Sequence, residues 1–322
     1  MSLIRVGVLR GGPSNEYDVS LKTGASVLEQ LPRDTYAPLD IFIDKIGQWH
    51  VRGLPVTPER AVRQVDVVFN ALHGQYGEDG RVQQILDSYS VPYTGSGALA
   101  SAIGMHKVLT KEHLRDAGIK MARHVVLEVT NDIDQRIVDL FRNFSQPSVI
   151  KPVSSGSSVG VTLAKSFAEF DNGIRRAFQF SPKVLVEEYI KGREATAGVV
   201  EGFRGKPLYA LLPVEIVPPS TSTFFDYAAK YSGETLERVP GNFTKEERTE
   251  LERLAALVHE KLGLRHYSRS DFIVSPRGIY FLEVNTLPGL TAESLLPKSL
   301  RAVGAELPEF LTHVVQRALS GV

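Results

Sequence analysis

Twice near its start the chain runs a short apolar stretch straight into glycines. Residues 4–9 (IRVGVL) lead into Arg10-Gly11-Gly12-Pro13-Ser14-Asn15, and residues 66–72 (DVVFNAL) lead into His73-Gly74. Apolar runs of this length, bounded by turn residues, read as buried strands. Helical character fills 17–31 and stops at Pro32. Strand, glycine turn, helix and strand again is the grammar of an open, largely parallel α/β sheet. In such sheets ligands lie beyond the carboxyl ends of the strands, and both glycine turns fall there.

A chain of 322 residues has room for two or three domains at roughly 100–200 residues each. Lys plus Arg and Asp plus Glu balance at 37 each, with no basic stripe, which argues against nucleic acid as a partner. There is no cysteine, so disulfides, thiolate zinc sites and cysteine nucleophiles are excluded. MSLIRVGVLRGG enters the first strand without a long apolar core or a small-residue cleavage site. No apolar run approaches the ~20 residues of a membrane span. The expected compartment is the cytoplasm, with no membrane partner.

From about residue 97 the pattern changes. Helical stretches near 97–103 and 106–117 precede strand-like segments at 124–129, 148–151, 161–164 and 184–190. Residues 216–243 read as one long loop, and long loops in compact domains tend to be lids or binding loops. Thr244 then opens the clearest helix, with Glu247 completing a capping box. Leu251, Leu254, Ala255, Val258 and Leu262 follow at helical spacing before Gly263. Strands at 267–274 and 278–284 flank Ser275-Pro276-Arg277, and a C-terminal helix carries Leu311, Val314, Val315, Ala318 and Leu319.

Four stretches carry chemistry. Arg269 and Asp271 share one strand face, and Glu283 and Asn285 share one on the next strand, because side chains alternate with period two. Two carboxylates and an amide oxygen are hard donors that suit Mg²⁺; the plainer reading is a surface salt-bridge ladder. Directly after them, Asn285-Thr286-Leu287-Pro288-Gly289-Leu290-Thr291 reads as a loop shaped to hold substrate. Lys151 precedes a Ser/Gly loop (152–160) whose backbone N–H groups suit phosphate oxygens; it lacks the P-loop order, and a flexible hairpin is the alternative. VLVEEYIKGRE (184–194) offers a strand edge for an adenine amino group and a carboxylate for ribose hydroxyls. HGQYGEDG (73–80) holds three glycines, a turn that needs unusual backbone angles, with His73 either structural or at a site.

These stretches together carry a resemblance. GGPSNEYDVS, HGQYGEDG, PYTGSG, KPVSSGSSVG, VEEYIKGRE, FFDYAAKY, RSDF and EVNTLPGLT stand in the order found in the D-alanine–D-alanine ligases, which the chain resembles over nearly its whole length. The resemblance implies an α/β fold in three parts. These are an N-terminal Rossmann-like parallel-sheet domain over 1–96, a central ATP-grasp domain over 97–192, and a C-terminal ATP-grasp domain over 193–322 with a lid near 216–243.

By position the resemblance also implies roles. Lys107 and Lys151 would hold ATP phosphates. Glu187 and Tyr189 would line the adenine pocket, Glu194 would bind ribose, and Ser158 and Phe224 would complete the nucleotide set. Lys230 would close over the phosphates. Asp271, Glu283 and Asn285 would bind two Mg²⁺ ions, with Mn²⁺ as a substitute. Glu16 would receive the ammonium of the first D-alanine, with Ser157 and Tyr231 hydrogen-bonded nearby and His73 beside them. Arg269 would stabilise developing negative charge, and Ser294 and Leu295 would bind the second substrate. The implied reaction joins two D-alanines through an acyl-phosphate for peptidoglycan precursor synthesis. It needs no covalent protein nucleophile. A homodimer is suggested by the resemblance alone.

The chain departs from the family at Gly104-Met105-His106-Lys107, where the usual run is Ser-Met-Asp-Lys; Gln84, where glycine is frequent, is a minor change. Aspartate at 106 would cap the following helix and complement its dipole, and histidine is expected to do both less well. Two rival readings are a ligase that uses D-lactate or D-serine as acceptor and a catalytically silent nucleotide-binding protein. Tyr231 argues for an amine acceptor, since the lactate-forming relatives carry phenylalanine there. The intact Lys, Arg and metal set argues against silence.

Overall fold

Residues 3–154, 160–218 and 235–321 are described by the structure, a computed structural model. Among them the strands form three sheets. The first has the order Leu54–Val56, Trp49–Val51, Tyr36–Ile43, Ile4–Gly11, Val67–Asn70. Ile4–Gly11 pairs in parallel with both neighbours, and the short strands Trp49–Val51 and Leu54–Val56 extend the sheet through antiparallel pairs. Val6, Val8 and Leu9 are wholly buried because the sheet is covered on both sides. Val6 and Val8 join a core with the C-terminal helix Leu307–Ser320 through Phe310, Leu311, Val314 and Val315. Leu9 packs the other way, with Ile41, Ile43 and Trp49. The two ends of the sequence therefore share one core.

The second sheet is antiparallel, in the order His124–Glu128, Lys183–Glu188, Ser148–Pro152, Thr162–Ala164. Helices Ile133–Asn143 and Phe167–Phe178 close its core with Ile137, Phe170 and Ile174. The third sheet has the order Leu236–Arg238, Val214–Val217, Arg193–Glu201, Tyr267–Ser275, Gly278–Asn285, Lys120–Met121, and Leu208–Ala210 also pairs with Arg193–Glu201. Helix Lys245–Lys261 covers it with Leu251, Leu254, Ala255 and Val258. Thr244 and Glu247 make the expected capping box. Among the described residues, no helix is long and apolar enough to cross a membrane.

The α/β expectation is met, and three details bear on the site. The stretch 216–243 is not one loop: Val214–Val217 and Leu236–Arg238 pair across its base, Glu215 opposite Arg238, and 219–234 lie outside the described residues. Strand Arg193–Glu201, the centre of the third sheet, was not expected. Its sequence REATAGVVE offers mostly small side chains, and burial between neighbours holds it extended. Finally, His106 does cap helix Lys107–Leu114, its Nδ1 accepting the Leu109 N–H at 3.2 Å. The imidazole reaches the position a carboxylate would take, but brings no negative charge to the helix dipole.

Candidate functional site

The second and third sheets enclose a cleft with room for about 310 Å³, within the range of small-molecule sites. Lys151, Glu187 and Tyr189 line it from the second sheet and its edge. From the third sheet come Glu194, Arg269, Asp271 and Glu283, and Lys107 and Leu295 complete the wall. Nine residues singled out from the sequence thus meet in one place.

The strand pair Tyr267–Ser275 and Gly278–Asn285 sets the floor. Arg269 lies opposite Asn285, and Asp271 opposite Glu283, so the four side chains share one face as the alternation requires. The register then slips between Asp271 and Phe272, which ends the polar patch and turns Phe272 toward Phe281 in the core. Arg269 grips Asp271 with two parallel hydrogen bonds of 3.0 Å each. Thr196 on the neighbouring strand adds an O–H bond to the same carboxylate at 2.5 Å. Burial works against the Arg269 charge, but Asp271 and then Glu283 outweigh it and hold the guanidinium pKa up.

Two lysines face the carboxylates. Lys107 lies 3.3 Å from Glu283. Lys151 lies 2.6 Å from Glu187, and the other oxygen of Glu187 lies 2.6 Å from Lys111, which the sequence reading passed over. Burial alone would push the Glu187 carboxyl up; Lys151 and Lys111 overcome it and hold its pKa at about 2. Burial likewise opposes the Lys151 charge, and Glu187 and Glu283 keep its pKa raised.

The second group forms where the first sheet meets the loop after Asn285. Glu16 stands at the start of helix Tyr17–Gln30, and its carboxylate reaches the turn at Gly74. A Cβ on Gly74 would sit 2.7 Å from Glu16 Oε2, and φ there is +69°, so only glycine lets the turn approach. The Ser14 hydroxyl donates to the His73 carbonyl at 2.7 Å, and His73 Nε2 meets Thr23 Oγ1 at 2.8 Å. Ser294 stands just before helix Leu295–Ala302 without capping it, and its hydroxyl bonds Thr291 Oγ1 at 2.8 Å, beside Gly289. Ser26 ties the helix to this loop through the Leu290 carbonyl at 2.8 Å.

Glu78 ties the turn at Gly74 to the loop after Asn285. It is 7% exposed and accepts from Gly74 N at 2.9 Å, Leu287 N at 3.1 Å and Thr286 Oγ1 at 3.2 Å. The sequence showed it only as one acid within a glycine turn; its three donors come from segments more than 200 positions apart. Ser157, Ser158, Phe224, Lys230 and Tyr231 lie outside the described residues. Among the described residues no cluster of three or more His, Cys, Asp or Glu side chains is poised around one point. The metal expectation therefore rests on Asp271 and Glu283 with the Asn285 amide, whose Oδ1 accepts from Leu287 N at 3.2 Å.

Comparison with known proteins shows the family to which the chain belongs. Residues 113–316 match the family model of the D-ala D-ala ligase C-terminus, and 5–57 with 52–96 match that of the N-terminus. A D-alanine–D-alanine ligase of Geotalea uraniireducens is 39% identical over 317 residues, covering 98% of this chain and 95% of the relative. That of Streptomyces coelicolor is 33% identical over 363 residues, covering 98% and 93%. Among solved structures, the D-alanyl-alanine synthetase A of Vibrio cholerae superposes with a TM-score of 0.85 at 28% identity, covering 99% of each chain. The VanG D-Ala:D-Ser ligase of Enterococcus faecalis superposes at 0.86 and 29%, covering 98% of this chain and 100% of that one.

Proposed function

Because this chain belongs to the D-alanine–D-alanine ligase family, we propose that its cleft joins two D-alanines to D-alanyl-D-alanine at the expense of ATP, releasing ADP and phosphate. One observation carries the assignment of the site: the Arg269, Asp271, Glu283, Asn285 quartet shares a face with Lys107 and Lys151 against it.

A carboxylate is a poor acyl donor because its oxygen leaves badly. In the proposed reaction a carboxylate oxygen of the first D-alanine attacks the γ-phosphorus of ATP, and the bond from that phosphorus to the bridging oxygen breaks. ADP leaves and D-alanyl phosphate forms. The neutral amine of the second D-alanine attacks the acyl carbon, phosphate departs with the former carboxylate oxygen, and the amine loses a proton.

The chain supplies position and charge. Lys107 and Lys151 are assigned to the phosphates, Glu187, Tyr189 and Glu194 to the nucleoside, and Ser158, Phe224 and Lys230, outside the described residues, to ATP by resemblance. Glu16 is assigned to the first ammonium, and His73, Ser157 and Tyr231 to the same substrate. Arg269 steadies the charge that develops on the acyl oxygen, and Ser294 and Leu295 hold the second substrate. Asp271, Glu283 and Asn285 are a hard oxygen set that fits Mg²⁺. Two such ions, or Mn²⁺, would neutralise phosphate oxygens. The lid role of 216–243, division of the chain at 96 and 192, work in the cytoplasm on peptidoglycan precursors, and a homodimer belong to the same proposal.

The test is direct. Purified protein given ATP, Mg²⁺ and D-alanine should yield ADP, phosphate and D-alanyl-D-alanine, identified by mass. Preferential product with D-serine would move the acceptor assignment to D-serine, preferential product with D-lactate would move it to a hydroxyl acceptor, and condensation of L-alanine alone would overturn the substrate.

A further inference from the structure

Glu187 is one buried carboxylate held by two ammonium groups, Lys111 and Lys151, each at 2.6 Å. The two lysines are not equivalent. Lys151 lines the cleft at the end of its strand, just before the Ser/Gly loop. Lys111 is 2% exposed, and it is not among the described residues that line the cleft. It stands one helical turn after Lys107 on Lys107–Leu114, so one helix sends Lys107 to Glu283 and Lys111 to Glu187.

We propose that Lys111 is a positioning residue for nucleotide binding: it keeps Glu187 neutralised from behind when Lys151 turns from it to a phosphate. The inference rests on the nucleotide reading of the cleft. A carboxylate as buried as Glu187 is costly when left unpaired. Were Lys151 its only partner, each nucleotide bound would strand that charge, and the lysine would be locked in the unliganded pair. With Lys111 fixed behind it, Glu187 stays compensated in both states and Lys151 is free to change partners. Lys111 thus acts through Lys151 and touches no reacting atom.

The measurement is calorimetric titration of ATP with Mg²⁺ in the absence of D-alanine, alongside steady-state kinetics, on the full chain as wild type, Lys111→Met and Lys111→Arg. Lys111→Met should fold, because Lys151 still pairs with Glu187 when no nucleotide is bound. Its ATP affinity should fall and its ATP KM rise by at least ~10-fold, with kcat at saturating ATP within about 3-fold and the D-alanine KM unmoved. Lys111→Arg, which keeps the charge, should recover most of the affinity. Unchanged ATP affinity in Lys111→Met, a loss confined to kcat, failure of Lys111→Met to fold, or no recovery in Lys111→Arg would each overturn the proposal. Wild type that fails to bind ATP with Mg²⁺ would instead overturn the nucleotide reading itself.

Discussion

The Lys107 ammonium lies 3.3 Å from the carboxylate of Glu283, which stands two positions before Asn285 on the same strand face. A cation assigned to phosphate and an anion assigned to metal thus neutralise each other across the cleft. Binding of a metal–phosphate complex would exchange this one contact for two, each group gaining a partner of opposite sign.

Glu283→Gln keeps the shape of that side chain and removes its charge. It is expected to lower turnover at least ~100-fold, as the loss of a principal electrostatic group does. The melting temperature should hardly move, because the side chain is 40% exposed. Turnover at saturating Mg²⁺ checks it, and a near wild-type rate would remove Glu283 from the metal set.

His106 gives a pH-dependent prediction. Its cap needs an unprotonated Nδ1 to accept from Leu109 N. Burial, with smaller contributions from the Lys183 and Lys107 charges, lowers its pKa in the fold below the unfolded value of about 6.5. The neutral form is therefore favoured by folding. Its contribution is full above that value and is lost as pH falls through the lowered one. His106→Ala should cost about 0.5–2 kcal/mol at pH 8. His106→Asn, which keeps a local acceptor that does not titrate, should gain on wild type as pH drops below the unfolded value of about 6.5. His106→Asp should add only the dipole contribution, about 0.3–1 kcal/mol. Thermal melts from pH 5 to 9 decide this; no loss in His106→Ala at pH 8 would leave the cap without weight.

Glu78 should matter to substrate placement as well as stability. Glu78→Gln turns an all-acceptor group into one with an N–H₂, which must face one of three donors. A shift of about 1 Å in a positioning turn can cost on the order of 10²-fold, so the D-alanine KM is expected to rise at least ~10-fold. ATP affinity, measured alone, should stay near wild type. Equal losses in both would make Glu78 a general stabiliser.

Much of this was legible in the sequence where a local rule decides the outcome. The capping box at Thr244 and Glu247, the first strand and its glycine turn, and the shared face of Arg269 and Asp271 all follow from spacing. What depended on packing was not. Strand Tyr36–Ile43 is broken by Pro38 in sequence, yet it pairs along its whole length with Ile4–Gly11. Helix Phe167–Phe178 opens with the Ser166 and Glu169 capping box, a signal that spacing alone makes legible. Lys111 looks like an ordinary helix-surface lysine until the second sheet closes over it, and Glu78 gains two of its three donors only when the loop after Asn285 reaches it.

The claim that the reaction passes through an acyl-phosphate has the most direct test. D-alanine labelled with ¹⁸O in both carboxylate oxygens is turned over with ATP and Mg²⁺, and the inorganic phosphate is analysed by mass. The proposed steps break the acyl carbon–oxygen bond after the carboxylate oxygen has joined phosphorus, so each phosphate released with a dipeptide should carry one ¹⁸O. Unlabelled phosphate, or label in AMP with release of pyrophosphate, would contradict the account.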